Sequence, residues 1–140
     1  MEIKDRCNTI EECYEFMLAY AAQGLPSDNG SRSGGQVREF LDLAVNALNG
    51  LAESYATAVR NEGLEPAEKY HAFFDVLNRD ASDSLAAMEL VLAQPAISSQ
   101  LIDNLNASIH LRALLTDLFL IDELLKLQPQ TAKQEVSTTA

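Results

Sequence analysis

One carboxylate and one imidazole of the chain stand at a spacing that could bind a metal ion. Glu68 and His71 are three positions apart, so a helix would put both side chains on one face. Carboxylate oxygen and imidazole nitrogen are common ligands of transition metals. The second histidine, His110, has Ala107 three positions before it, so the same pair does not recur. The pattern supplies half of a two-pair metal site.

The segment Glu68-Lys69-Tyr70-His71 resembles the Glu-x-x-His motif of ferritin-like di-metal bundles over four residues. That resemblance implies a helical bundle whose ligands point inward. Here the helical spacing favours Tyr70 and Phe74 as inward residues, which puts Glu68 on the outer face as a first-turn acid. We therefore expect no metal and no cofactor, and keep a small metal- or ligand-binding bundle as the alternative. Its candidate ligands are Glu12, Glu15, Glu68, His71 and His110.

The two cysteines, Cys7 and Cys13, are the other reactive groups of the chain. A thiol and an imidazole can form a nucleophile pair, and Cys13 with His71 is the candidate combination. A small buried cysteine is the commoner fate of such a residue, so we expect no catalytic residue and a non-enzymatic protein. Two cysteines without a C-x-x-C motif do not make a disulfide scaffold. The N-terminus lacks the apolar segment of a signal peptide, and we expect reduced thiols and a cytoplasmic location.

Composition restricts the classes of partner. The net charge is -11, from 21 acidic and 10 basic residues. Nucleic acid and anionic membranes both need clustered lysine and arginine, so we expect to find neither as a partner. The chain has no apolar run long enough to span a bilayer. Its 140 residues, of which 47% are hydrophobic, are enough for one domain with one core.

Apolar residues recur at steps of three and four along most of the chain, which predicts helices and no strands. The fold class expected is all-α, an antiparallel helical bundle of one short and three long helices in a single domain, residues 1–127. A capping box at Thr9 predicts the start of the first helix, which ends at Gly24. The other helices are predicted at 36–61, from Pro66 to just before Pro95, and at 98–127. Residues 24–35 read as a mobile loop, and 128–140 as a disordered tail.

The second half of the last predicted helix is apolar on more than one side. A short first helix would leave a groove beside it, and exposed apolar area costs about 25 cal/mol per Å². We therefore expect this helix to contact another protein chain, most simply a second copy in a homodimer. The competing interpretation is that the first helix or the loop at 24–35 folds over it. The candidate partner-binding residues are Arg112, Leu115, Leu118, Phe119, Leu120, Ile121, Leu124 and Leu125.

Two readings remain open for His110, where the apolar seam of the last helix changes phase. It could be a boundary histidine paired with Asp103 or Asp117. Alternatively, His110 and Arg112 could hold a carboxylate of a partner, because arginine suits bidentate contacts. A histidine at such an interface would also respond to pH.

In size, acidity and helical content the chain resembles dedicated chaperones of secretion and assembly systems. This resemblance implies an acidic helical protein that keeps a partner soluble. The expected function is a non-enzymatic protein–protein interaction module, such as an accessory factor, a chaperone or a regulatory subunit, that acts as a helical homo-oligomer.

Overall fold

The computed structural model describes residues 1–128, which form six helices and no strand. The all-α class and the single domain are confirmed. The helices are α1 Ile3–Ala22, α2 Arg32–Leu48, α3 Leu51–Glu62, α4 Ala67–Leu92, α5 Ser99–Ala107 and α6 Ile109–Lys126. The predicted set of one short and three long helices is not confirmed, because two of the predicted helices are each divided. None of these six helices is both long and apolar enough to cross a bilayer.

The helix predicted at 36–61 divides at Gly50, which has a φ of +86° and precedes the first residue of α3. Only glycine adopts that conformation without strain. Arg6 of α1 lies against the break, since a Cβ on Gly50 would be 3.3 Å from its guanidinium. The guanidinium donates to the carbonyl oxygen of Ala47 and to the hydroxyl of Ser54, at 3.0 and 2.8 Å. One side chain therefore binds the end of α2 and the start of α3.

The helix predicted at 98–127 divides at Ser108, two residues before the expected change of phase. Ser108 has an extended backbone, ends α5, and caps α6 by accepting a hydrogen bond from the backbone N–H of Leu111 at 3.3 Å. The phase change in the sequence therefore marks a change of helix.

The first helix begins earlier than predicted and is not short. It starts at Ile3 and has 20 residues, because Ile3 and Cys7 continue its buried side toward the N-terminus. The predicted capping box is wrong: Thr9 lies inside α1, and its hydroxyl donates to the carbonyl of Asp5 at 3.0 Å. A Ser/Thr hydroxyl bonded to the preceding turn is an ordinary arrangement within a helix.

The helices pack around one core. α1 packs on α2 and α5, while α4 packs on α2, α3 and α6. Phe16 of α1 stacks on Phe40 of α2 with ring centroids 4.3 Å apart. The core is closed by α6, which contacts α4, α5 and α1.

A buried carboxylate ties together two connections at one end of the bundle. Asp28, between α1 and α2, is only 8% exposed and accepts hydrogen bonds from Arg38 Nε and the Ile97 N–H, both at 2.7 Å. Arg38 also donates to the carbonyl oxygens of Leu92 and Gln94, at 2.9 and 2.8 Å. Leu92 is the last residue of α4 and Gln94 follows it in the α4–α5 connection, so the α1–α2 connection is fixed to the α4–α5 connection.

The same end holds a second set of hydrogen bonds. The Tyr20 hydroxyl donates to the carbonyl of Ile97 at 2.6 Å, and the Ser99 hydroxyl donates to the carbonyl of Tyr20 at 2.6 Å. Gly34 completes the close packing, since a Cβ there would lie 1.9 Å from the carbonyl oxygen of Asp28. The predicted loop 24–35 is shorter than expected because α2 begins at Arg32. Its mobility stays a prediction.

The predicted disordered tail, 128–140, lies outside the described residues except for Gln128. The Gln128 amide donates to the carbonyl of Leu124 at 3.1 Å.

Replacement of Asp28 by alanine should lower the free energy of unfolding by about 2–3 kcal/mol, because it leaves Arg38 and the Ile97 N–H without their acceptor.

Burial raises the pKa of Asp28, but the hydrogen bonds from Arg38 and Ile97 outweigh it and lower the pKa below its ordinary value of 3.8. The wild-type stabilisation should therefore persist above that value and disappear as the pH falls below it. Urea denaturation measures both effects. Asp42→Ala, an exposed aspartate of α2, is the control and should stay within about 0.5 kcal/mol of wild type; equal midpoints for the two variants would contradict this account.

Candidate interaction surface

One side of α6 belongs to the core. Leu111, Leu114, Leu118 and Ile121 are between 0 and 2% exposed. Three of the predicted partner-binding residues, Leu115, Leu118 and Ile121, are therefore buried by their own chain, with Leu115 at 5%. The expectation that they contact a partner is corrected: α1, α4 and α5 already cover this side of the helix.

The other predicted partner-binding residues are accessible to different degrees. Phe119 and Leu120 are 55% and 50% exposed, and Leu124 is 36% exposed. Arg112 is exposed, whereas Leu125 is half-buried and packs against the core. Half of the predicted set thus remains available on the outer side of α6.

The outer side carries a continuous row of residues, which we call the α6 stripe. Its members follow one another at steps of three and four, as neighbours on one helix face do. The α6 stripe consists of Ile109, Ala113, Thr116, Leu120, Leu124 and Leu127. Its two ends, Ile109 and Leu127, are 76% and 74% exposed. Both were missed from the sequence, although continuing the spacing of Leu120 and Leu124 in each direction would have found them.

Helix α4 borders the α6 stripe and runs antiparallel to α6. The Ser84 hydroxyl donates to the carbonyl of His110 at 2.9 Å, and near the other end the Gln128 amide donates to the Tyr70 hydroxyl at 3.4 Å. Val76, which is 40% exposed, lies between these two α4 positions. It is therefore level with the middle of α6.

The opposite edge of α6, beyond Phe119, is acidic. Burial raises the pKa of Glu11 on α1, the charges of Asp122 and Glu15 raise it further, and Lys126 lowers it. Lys126 lies 3.2 Å from Asp122 and 3.6 Å from Glu123, in exposed ion pairs that add little stability. The apolar stripe therefore has an acidic border on its α1 side.

The residues considered as metal ligands are not brought together. Glu68 and His71 are exposed on α4, and Glu12 and Glu15 are exposed on α1. His110 is level with Ser84, which is thirteen residues beyond His71 and hence about 20 Å along α4. Within residues 1–128 no three His, Cys, Asp or Glu side chains are arranged to hold a metal ion.

The thiols are protected from reaction. Burial raises the pKa of Cys13, which is fully buried, to about 12. Burial also raises the pKa of Cys7 to about 12, with further contributions from Glu11 and Asp122. His71 is exposed while Cys13 is inaccessible, so the two do not form the nucleophile pair considered from the sequence.

The folded protein should therefore react slowly with iodoacetamide at pH 7.5, because both thiols stay protonated and covered. We expect alkylation to be at least about a hundredfold faster in 8 M urea, where the thiols regain their ordinary pKa. Mass spectrometry of samples quenched over time measures both rates. Rapid labelling of Cys13 in the folded protein would instead favour a catalytic cysteine.

Comparison of the chain with models of known protein families, with curated proteins and with solved structures finds no match.

Proposed function

We propose that the protein is a non-enzymatic interaction module that self-associates through the α6 stripe and serves as an accessory factor, chaperone or regulatory subunit. One observation carries this proposal: the large apolar side chains of Ile109, Leu120, Leu124 and Leu127 are 36–76% exposed on the outer side of a helix whose inner side is already core. Large apolar side chains grouped on one exposed face are typical of interaction surfaces.

A second copy of the chain is the occupant that the residue pattern favours. In an antiparallel pairing about a two-fold axis near residue 118, Ile109 of each copy lies opposite Leu127 of the other. The same axis puts Thr116 opposite Leu120. Apolar residues thus meet apolar residues or a threonine methyl in these two pairs, while the same axis puts Leu124 level with Arg112 and Ala113 level with Glu123.

The charges beside the stripe follow the same symmetry. Arg112 and Glu123 lie on one edge of α6, and the two-fold axis brings each near the other residue in the second copy. Arginine–carboxylate pairs of this kind give orientation to an interface more than affinity. The sequence-based expectation that Arg112 contacts a partner's carboxylate is thereby given a specific acceptor, Glu123.

The net charge of -11 on each copy opposes association. Dissolved salt screens repulsion between exposed charges over roughly 10 Å at 0.1 M ionic strength, whereas apolar contact is not weakened by salt. Association through the α6 stripe is therefore favoured by moderate ionic strength. The acidic surface that remains outside the interface would orient a basic partner protein.

Replacement of Leu120 by glutamate should weaken self-association at least about tenfold, because it puts a charge at the centre of the apolar contact. Sedimentation velocity over a range of concentrations measures the change. Leu43→Glu is the matched control, since Leu43 is 55% exposed on α2, away from α6. Circular dichroism should give both variants the wild-type helix content; identical association of Leu120→Glu and wild type would remove the α6 stripe as the interface.

A charge exchange tests the two-fold pairing. Arg112→Glu alone should weaken association, because it puts two acidic residues opposite each other at each end of the interface. Glu123→Arg alone should weaken it as well, and the double variant should recover most of the loss. Additive losses in the double variant would mean that these two residues do not meet across the interface.

A further inference from the structure

A second feature of α6, independent of its exposed stripe, is a buried carboxyl group. Asp117 is only 5% exposed, and its Oδ2 has no hydrogen-bond partner among the described residues. The hydrogen bonds from Ser84 to His110 and from Gln128 to Tyr70 fix the register of α4 and α6, which puts Asp117 level with Asp80, and Asp80 raises the pKa of Asp117. An ionised Asp117 would face the carboxyl group of Asp80 with no partner for its buried Oδ2, whereas a proton held between the two groups would remove the repulsion and supply a hydrogen bond.

We propose that Asp80 and Asp117 share one proton and act as a pH-sensitive latch that holds α6 against α4. The latch is strongest when the proton is present, because the pair is then singly charged and hydrogen-bonded. When the proton leaves, two carboxylates face each other in a poorly hydrated position and the α4–α6 contact weakens.

Among the charged groups around the pair, Asp80 is the one that raises the pKa of Asp117. On α4, Arg79 and Asp83 are exposed, and on α6 the nearest charged residues along the chain are Arg112 and Asp122. His110, also exposed, is two turns away on α6. Of these, Asp80 alone contributes to the shift of the Asp117 pKa.

The other helices that pack on α6 add no counter-charge. The one charged residue of α5, Asp103, is exposed. Glu11 on α1 interacts with Asp122. No cation of α1 or α5 contributes to the Asp117 shift, so the shared proton is what keeps the pair compatible with burial.

The direction in which pH changes the stability of the protein follows from the raised pKa of Asp117. Burial raises the pKa of Asp117 from 3.8 to about 8, and the hydrogen bond and charge of Asp80 raise it as well. A raised pKa in the folded state stabilises that state fully below the unfolded value. The contribution of Asp117 to the free energy of unfolding then falls as the pH rises from about 4 to about 8, and it is absent above that range.

This latch acts on the helix that carries the α6 stripe, but it does not depend on self-association. Opening at alkaline pH would release α6 from α4 and uncover leucines that are now in the core. Ser108, which separates α6 from α5, supplies the joint at which α6 could move without unwinding α5.

Asp117→Asn tests the latch in the full-length protein, because the asparagine amide donates to Asp80 at every pH. The folding equilibrium constant of wild type should fall, relative to that of the variant, by up to about tenfold per pH unit between pH 5 and pH 8. Asp83→Asn, an exposed aspartate one turn from Asp80, should keep the wild-type slope. Urea denaturation at each pH and at low protein concentration measures this slope; parallel curves for wild type and Asp117→Asn would overturn the proposal.

A direct titration keeps the test valid if the variant fails to fold. The carboxyl carbon of Asp117, followed by NMR in wild-type protein, should titrate near pH 8. Amide hydrogen exchange in α6, corrected for the intrinsic effect of pH, should speed up between pH 6 and pH 8 more than exchange in α2. A midpoint near pH 4 for Asp117 would exclude the shared proton.

Discussion

The structure depends on a constraint at α6: this helix is apolar on two sides, and residues 1–128 bury only one of them. Leu114 and Leu118 are fully buried because α1, α4 and α5 meet on the inner side. That arrangement needs α5 and α6 to follow different directions, which the break at Ser108 permits. It also needs α5 to start at a fixed place, which the hydrogen bonds of Asp28 and Ser99 provide. With the inner side complete, Leu120 is left 50% exposed within the described part of the chain.

The all-helical class follows directly from the sequence, because steps of three and four between apolar residues require a helix to bring them onto one face. The positions at which one helix ends and the next begins do not follow from the sequence alone. Gly50 separates α2 from α3 where a side chain from α1, that of Arg6, binds the end of α2. Thr9 has the local signature of a helix start, but Ile3 gains more by being buried as part of the same helix. In each case contacts with distant residues decide between locally acceptable alternatives.

The sequence predicts only part of the candidate interaction surface. Two apolar sides on α6 are visible in the sequence, but which side faces the core depends on where α4 lies, and periodicity alone does not give that. Leu118 and Leu120 therefore look equivalent in the sequence and differ in the structure, at 0% and 50% exposed. The buried carboxyls were harder to find. Asp28 stands in a segment of loop composition, and Asp117 looks like an ordinary polar interruption until α4 brings Asp80 beside it.

Intermolecular NOEs between methyl groups test the central claim most directly. A sample that mixes ¹³C-methyl-labelled and unlabelled protein reports only contacts between copies. The account predicts cross-peaks from Leu120 of one copy to Thr116 of the other, and from Ile109 to Leu127. The absence of these cross-peaks, together with a mass of 15.3 kDa at the same concentration, would contradict it.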